Sequence, residues 1–357
     1  FYNRNNKEGK KGGTMRYVAQ TPDGEIVDTT YKMPSRLGFI VSSNDGSHSF
    51  PVTIKPGKRH RRMPSQMDVK GDIAVMSDPH GDFDSFLSAL QGGGVVGDNL
   101  RWSFGKGTLV VIGDVCDRGK DVGTIFWFIE KLKKEARKRG GRVIFQLGNH
   151  EDMVLRGDVR YTDNKYKELA AAVGMKVKDL YGPQSEIGRM IRSSNIVSRL
   201  NDNIIVHAGL SEEFLRRGLS FDRVNGMVEQ YAGTPTKRLK KIGGDVEFVF
   251  RTHGPLWHRG MVRDQKKYRP VSEDVFDKIL AEYGAERIIV GHTVFDDITS
   301  KFGGRVIAVN VDGAENREKG LGRGILISKG GISVIFDDKE PVLLDKYLKN
   351  KDMQQRP

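Results

Sequence analysis

From Asp72 onwards, short unbroken apolar runs alternate with longer stretches in which apolar and charged residues recur at helical spacing. The runs are IAVMS (73–77), TLVVIG (108–113), VIFQLG (143–148), NIIVHAG (203–209), RIIVGH (287–292) and RVIAVNVDG (305–313). Rich in Val and Ile and lacking polar alternation, they predict strands buried on both faces. Between two of them, TIFWFIEKLKKEARKR (124–139) begins apolar, turns highly charged and stops at Gly140-Gly141. This predicts an amphipathic helix with a basic C-terminal end and with Phe126, Trp127 and Phe128 in the core. Alternation of strand and helix predicts an α/β layered core. The stretches 155–201 and 211–283 carry fewer buried-strand signals and more helical ones, and are expected to be insertions forming a largely helical cap. Further on, GRGILISKGGISVIF (322–336) predicts a closing hairpin turned at Lys329-Gly330-Gly331.

Ahead of this region, MRYVAQTPDGEIVDTTY (15–31) predicts two short strands around a Pro-Asp-Gly turn. NRNNKEGKKGG (3–13) reads as a flexible end. The expected organisation is therefore a β-rich entry segment over 1–70, a main domain over 71–340 with cap insertions near 155–201 and 211–283, and a tail over 341–357.

Charge modifies the picture at one end. The net charge is +13, and residues 1–70 hold 13 Lys/Arg against 6 Asp/Glu. The arm KRHRR (58–62) could meet nucleic acid, an anionic membrane face or a phosphorylated substrate. A solvated basic loop is the preferred reading, because no aromatic residues interleave with the charges.

At 357 residues and 37% hydrophobic, the chain can bury one large core or two moderate ones, which excludes a disordered protein. Its one cysteine, Cys116, excludes an intrachain disulfide and a Cys-based zinc cluster, and is read as a small buried filler. No stretch approaches the run of about 20 apolar residues that spans a bilayer. The chain opens on Phe1 instead of Met, and with the basic charge this tips the expected compartment slightly towards exported or periplasmic over cytoplasmic.

The candidate chemistry lies where the strands end. After IAVMS come Asp78, Pro79, His80, Gly81 and Asp82; after TLVVI come Gly113, Asp114, Val115, Cys116, Asp117 and Arg118. VIFQL is followed by Gly148, Asn149, His150 and Glu151, NIIV by His207, and RIIV by Gly291 and His292. Ligands in α/β sheets gather at the carboxyl ends of strands, so five such tips converge. Two aspartates, one asparagine and three histidines supply the oxygen and imidazole donors of a two-metal site, and a central Asp can bridge two ions. The glycines beside the donors, Gly81, Gly113 and Gly148, allow a close backbone approach. His253 and His258 flank GPLW without a strand-end address and are read as ordinary core or surface histidines.

The ordered series DPHGD, GDVCDRG, GNHE, HAG and GHT resembles the metallophosphoesterases of the phosphoprotein phosphatase superfamily. Within them, GNHEDMVLRGDVRY (148–161) and GPLWHRG (254–260) are similar to the Shewanella-like protein phosphatases. The resemblance implies a calcineurin-like β-sandwich flanked by helices with a helical cap. It also implies two divalent ions (manganese, iron or zinc), one on Asp78, His80 and Asp114, the other on Asp114, Asn149, His207 and His292. A metal-bound hydroxide would attack phosphorus, His150 would protonate the leaving oxygen with Asp117 orienting it, and Arg118 would hold the phosphate. Arg259 is the expected second phosphate-binding arginine, ahead of Arg251 and Arg263, while Glu151 and Asp312 steady the metal ligands. Two departures from the superfamily pattern stand out. Ser77 occupies a position usually held by Gly, and VDGAENREKG (311–320) replaces the Ser-Ala-Pro-Asn-Tyr element of the eukaryotic serine/threonine enzymes.

The expected function is hydrolysis of a phosphomonoester on protein, at phosphotyrosine or at phosphoserine/threonine, with a phosphorylated protein or peptide as partner. The alternative is a dinucleoside polyphosphate or RNA-cap hydrolase of the symmetrical diadenosine tetraphosphatase type. A non-catalytic phosphate- or RNA-binding scaffold stands behind both, because it would require a lost metal ligand.

Overall fold

The computed structural model describes residues 2–4 and 13–354; the expected flexible opening at 3–13 and the end of the tail lie largely outside the described residues. Six short strands come first: β1 (Tyr2–Arg4), β2 (Thr14–Gln20), β3 (Ile26–Lys32), β4 (Leu37–Ser42), β5 (Ser49–Ile54) and β6 (Gln66–Met67). Three strand–helix units follow: β7 (Ile73–Met76) with α1 (Phe83–Gly92), β8 (Thr108–Val111) with α2 (Val122–Lys138), and β9 (Arg142–Phe145) with α3 (Asn149–Arg156). Next are α4 (Asn164–Ala172), α5 (Val177–Leu180) and α6 (Glu186–Arg192), the strands β10 (Val197–Leu200) and β11 (Asn203–Val206), and α7 (Glu212–Arg216) to α11 (Glu273–Tyr283), with α8 (Phe221–Tyr231), α9 (Thr236–Ile242) and α10 (Gly244–Val249) between them. The chain closes with β12 (Arg287–Val290), β13 (Thr299–Lys301), β14 (Val306–Ala308), α12 (Gly313–Glu318), the hairpin β15 (Gly324–Ser328) and β16 (Gly331–Ile335), β17 (Val342–Leu343) and α13 (Leu344–Gln354).

Two six-stranded sheets form the core, in the orders β17-β16-β15-β7-β8-β9 and β13-β14-β12-β11-β10-β6. In the first, β7, β8 and β9 are parallel; in the second, β11, β12 and β14 are parallel. Alternate residues of each strand serve opposite faces. Ile73, Val75, Val110 and Ile144 join Ile205, Ile289 and Ile307 in the layer between the sheets. Their neighbours Ala74, Met76, Leu109 and Val111 pack outward with Phe83, Leu87, Ile125 and Phe128 of α1 and α2. Burial on both faces is why these runs read as continuously apolar.

The hairpin β15–β16 and the turn between β2 and β3 fall where the sequence places them. One stretch departs from expectation: Val197–Leu200, inside 155–201, is a strand, paired with β11 and with β6. Its side chains Val197 and Leu200 are buried, but four residues are too few to carry a periodic signal. The entry segment packs on the core, where Phe50, Val52 and Ile54 of β5 join Phe83 and Phe128. Among the described residues no helix is long and apolar enough to cross a membrane.

Candidate active site

The carboxyl ends of β7, β8, β9, β11 and β12 bring one cluster together. Asp114 is its centre: Oδ2 lies 3.3 Å from His207 Nε2 and 3.9 Å from both His80 Nε2 and His150 Nε2. Donor atoms of His80, Asp114 and His150 lie close enough together to hold one metal ion, as do those of Asp114, His207 and His292. Asn149 Oδ1 is 2.8 Å from His207 Nε2. With bonds of about 2.1 Å, neighbouring ligands on one ion sit about 3 Å apart, so these spacings fit edges of a coordination shell.

The backbone makes this crowding feasible at a cost. Ten described non-glycine residues have positive φ, and Asp78, His80, Asp114, Asp117, Arg118 and His292 are six of them, with φ between 42° and 73°. Each such residue costs on the order of 1–3 kcal/mol, and the concentration at one cluster marks a functional constraint. Gly113 and Gly148 are required here. A Cβ on Gly113 would meet the Gly148 nitrogen at 2.4 Å, and one on Gly148 would meet Asp114 Oδ1 at 2.1 Å.

Hydrogen bonds fix each donor. His80 Nδ1 donates to the Cys116 carbonyl (2.9 Å) and His207 Nδ1 to the Ile112 carbonyl (2.8 Å), which turns both Nε2 atoms to the cluster. Glu151 is wholly buried, and its carboxylate accepts from the backbone N–H of Asp114 (2.8 Å), Cys116 (2.8 Å) and Gly148 (2.9 Å). It ties the β8 tip to the β9 tip, the steadying position expected of it. Asp312 instead caps α12 by accepting from Glu315 N, away from the cluster's hydrogen bonds. Cys116 is buried, as expected of a filler.

Protonation follows the crowding. Burial pushes the Asp78 carboxyl up to about 7, with Asp114 adding to the rise and His207 opposing it. Burial acts against the Asp114 carboxylate as well, yet His207, His150 and His80 hold it well below the usual range. Burial disfavours a charged His207, but Asp114 and Asp78 outweigh it and lift the imidazole to about 9. Burial lowers His80 to about 4, and burial together with His207 and Arg259 holds His292 well below its ordinary value. For His150, burial is outweighed by the Asp117 hydrogen bond and by Asp114, which raise it.

Whether the residues suit a cation can be tested on their unmet hydrogen bonds. Among the described residues, Asp78 Oδ1 and His292 Nε2 are buried without a partner. Such orphans cost about 1–3 kcal/mol each unless a ligand meets them. A carboxylate oxygen and an imidazole nitrogen are donors for a divalent ion, so the cluster fits.

The remaining predicted residues surround this cluster. His150 Nδ1 donates to Asp117 Oδ2 at 2.7 Å, and Arg118 is exposed at the mouth beside His80. Arg259 Nη1 donates to the His292 carbonyl (3.2 Å) and to Thr293 Oγ1 (2.9 Å), with its charge felt by Asp78 and Asp114. Arg263 instead bonds the Val294 carbonyl and lies over Phe295. Three further side chains join the site. Ser77 donates its hydroxyl to Asp78 Oδ2, Thr162 donates to Asp117 Oδ1 at 2.6 Å, and the half-exposed Tyr161 ring lies 5.4 Å from the His150 ring.

The calcineurin-like phosphoesterase family matches residues 71–296. The chain belongs to this family. Among its relatives, Shewanella-like protein phosphatase 2 of Arabidopsis thaliana is 26% identical over 292 residues, covering 68% of this chain and 71% of that one. Shewanella-like protein phosphatase 1 of Plasmodium berghei is 31% identical over 226 residues, covering 62% and 61%. In structure, the chain superposes on a cold-active protein-tyrosine phosphatase of a psychrophilic Shewanella species with a TM-score of 0.77 and 28% identity, over 92% of this chain and 98% of that one. The mixed α/β sandwich is thus the calcineurin-like phosphoesterase fold, and the chain is a metal-dependent phosphatase with Shewanella-like homologues.

Proposed function

We propose that this phosphatase acts on phosphorylated protein, with phosphotyrosine the leading substrate and phosphoserine/threonine the next. The observation that carries the reading is the position of Asp114 Oδ2 among three imidazole Nε2 atoms at 3.3–3.9 Å, with the His150–Asp117 pair on one side. Asp78, His80 and Asp114 would hold one divalent ion, and Asp114, Asn149, His207 and His292 the other. Oxygen and imidazole donors suit manganese, iron or zinc alike. Bound there, the ions would supply Lewis acidity to the phosphoryl oxygens and acidify a water for attack.

This chain's residues do the rest. Arg118 and Arg259 flank the cluster, where their guanidinium groups neutralise the phosphoryl oxygens and fix the phosphate's orientation. As the bond from phosphorus to the leaving oxygen breaks, His150 Nε2 delivers its proton to that oxygen. Asp117 accepts from Nδ1 and so favours the protonated ring and sets its plane. A phosphotyrosine ring leaving past His150 would meet the exposed Tyr161 ring, which favours the aromatic substrate, and the Shewanella neighbour is a protein-tyrosine phosphatase.

The test is turnover of p-nitrophenyl phosphate by metal-stripped protein with and without added manganese, beside Asp114→Asn and His150→Asn. Phosphotyrosine, phosphoserine and diadenosine tetraphosphate are then compared. Metal-dependent turnover abolished by Asp114→Asn, with phosphotyrosine peptide preferred, is the expected result. Inert metal-loaded protein, or a preference for the dinucleotide, would remove this reading.

A further inference from the structure

The basic arm KRHRR is a solvated loop, with Lys58, Arg59, Arg61 and Arg62 exposed, but it is held in place. His60 meets Glu186 at 2.9 Å, Arg59 meets Glu229 at 3.0 Å, and Arg62 donates to the Asn225 carbonyl, so the arm is pinned to the body. Pinned there, it forms one wall of a groove of about 1050 Å³ whose other walls are the C-terminal half of α2 and the start of β9. Eleven Lys/Arg and three Glu line it.

The three glutamates are already engaged. Glu135 pairs with Lys131 at 3.0 Å and accepts from Trp102 N, Glu186 pairs with His60 and Arg189, and Glu130 lies 3.8 Å from Lys133. Arg36, Lys55, Lys58, Arg61, Arg137 and Arg142 form no ion pair among the described residues. Lys134, also in the lining, is held below its ordinary pKa by burial, with Glu130 and Glu186 opposing the fall and Arg137 and Arg36 adding to it. Positive charge is therefore concentrated in a concave site beyond what the protein neutralises, and such a site attracts a complementary polyanion.

The lining narrows the class of ligand. Its one aromatic residue, Phe145, is 5% exposed, so no platform exists on which nucleobases could stack. The unpaired cations come from four separate chain segments, which suits an extended ligand. We propose that this groove binds an acidic segment of a polypeptide, rich in Asp, Glu or phosphorylated residues, and docks substrate away from the catalytic cluster. The docking role rests on the protein-phosphatase reading; the binding site itself does not.

Geometry sets the spacing. α2 starts just after Asp117 and Arg118, enters the groove at Glu130, about 12 Å along, and ends on its far side at Lys138, about 24 Å along. An extended peptide needs roughly four to seven residues to cover those distances. An acidic run at about that separation from the phosphorylated residue is what the groove selects.

The experiment uses the full-length, metal-loaded protein and the variant Lys58→Glu/Arg61→Glu/Arg137→Glu. Two phosphotyrosine peptides are compared, one with a distal run of glutamates and one with glutamines in their place, alongside p-nitrophenyl phosphate. Direct binding of a fluorescent polyglutamate peptide without phosphate is followed by anisotropy, with an RNA oligonucleotide as competitor. The wild type is expected to show a KM about tenfold lower for the glutamate peptide, an advantage the variant loses, with kcat and p-nitrophenyl phosphate turnover unchanged. Unchanged p-nitrophenyl phosphate turnover also certifies the variant's fold. Equal KM values for the two peptides in the wild type, or an advantage that survives in the variant, would overturn the docking role. RNA binding more tightly than polyglutamate, and lost in the variant, would reassign the groove to nucleic acid and overturn the proposal. If p-nitrophenyl phosphate is hydrolysed but neither phosphopeptide is, the protein-phosphatase reading fails and docking with it; polyglutamate binding lost in the variant would still uphold the groove.

Discussion

His150 Nδ1 donates to Asp117 Oδ2 at 2.7 Å, and the same carboxylate accepts from Thr162 Oγ1 at 2.6 Å through its other oxygen. Asp117 is 2% exposed, so both oxygens are spoken for and the imidazole plane is fixed from behind. A general acid matters in proportion to how badly the leaving oxygen needs a proton. Asp117→Asn is therefore expected to lower kcat on phosphoserine by about 10²–10⁴ but on p-nitrophenyl phosphate by less than about tenfold. Thr162→Val should act in the same direction and more weakly. A leaving-group series measures this, and equal losses across it would argue against the proton-donor role of His150.

Glu151 gathers three backbone N–H groups from two strand tips with no water access. Glu151→Gln keeps the shape but replaces an acceptor oxygen with an N–H group that faces other donors. The expected loss is about 3 kcal/mol of stability. Metal affinity should fall by roughly 10–100-fold as Asp114 loses its fixed backbone. Urea unfolding of the metal-free protein and a metal titration separate the two effects.

Tyr161 presents its ring half exposed, 5.4 Å from the His150 ring, with Arg160 over its face. Aromatic pairs contribute about 0.5–1.5 kcal/mol beyond area burial. Tyr161→Ala should raise KM for phosphotyrosine peptides by about tenfold at most and leave phosphoserine peptides nearly unchanged. A matched loss on both would assign Tyr161 to the backbone support of Arg118, whose N–H donates to the Tyr161 carbonyl.

Much of this site is legible in the sequence because strand tips concentrate chemistry locally: Asp78 and His80, Asp114 and Asp117, Asn149 and His150 each sit within a few residues of a buried apolar run. What reaches the site from elsewhere is not legible. Thr162 lies 45 residues from its partner Asp117, on a loop with no periodic signal. Ser77 stands out in the sequence only as a replacement for Gly, and that its hydroxyl bonds the neighbouring Asp78 carboxylate is seen only in the fold. The strand Val197–Leu200 is hidden because its partners, β6 and β11, are set by tertiary pairing and not by its own four residues. The basic arm is exposed, as its charges suggest, but its contacts with Glu186 and Glu229, far along the chain, are not legible in its own residues.

His258 provides a pH test outside the metal ligands. It is 1% exposed, neither ring nitrogen has a partner among the described residues, and the nearby charged groups are His253 and Arg269. Burial, with those two cations, lowers its pKa to about 4. Unfolded, the imidazole titrates near 6.5, so below that pH the unfolded chain binds a proton that the folded chain refuses. Stability is thus fully present above about 6.5 and is lost as pH falls towards the folded value, by about 2 kcal/mol between pH 7 and pH 5. His258→Phe removes the titrating group and two unmet polar atoms while keeping an aromatic ring. Its unfolding free energy should fall less over that pH range than the wild type's, by about the same 2 kcal/mol, in paired urea denaturations. Parallel pH profiles for the two proteins would mean that the folded chain accepts a proton on His258 and that the ring finds a partner in solution.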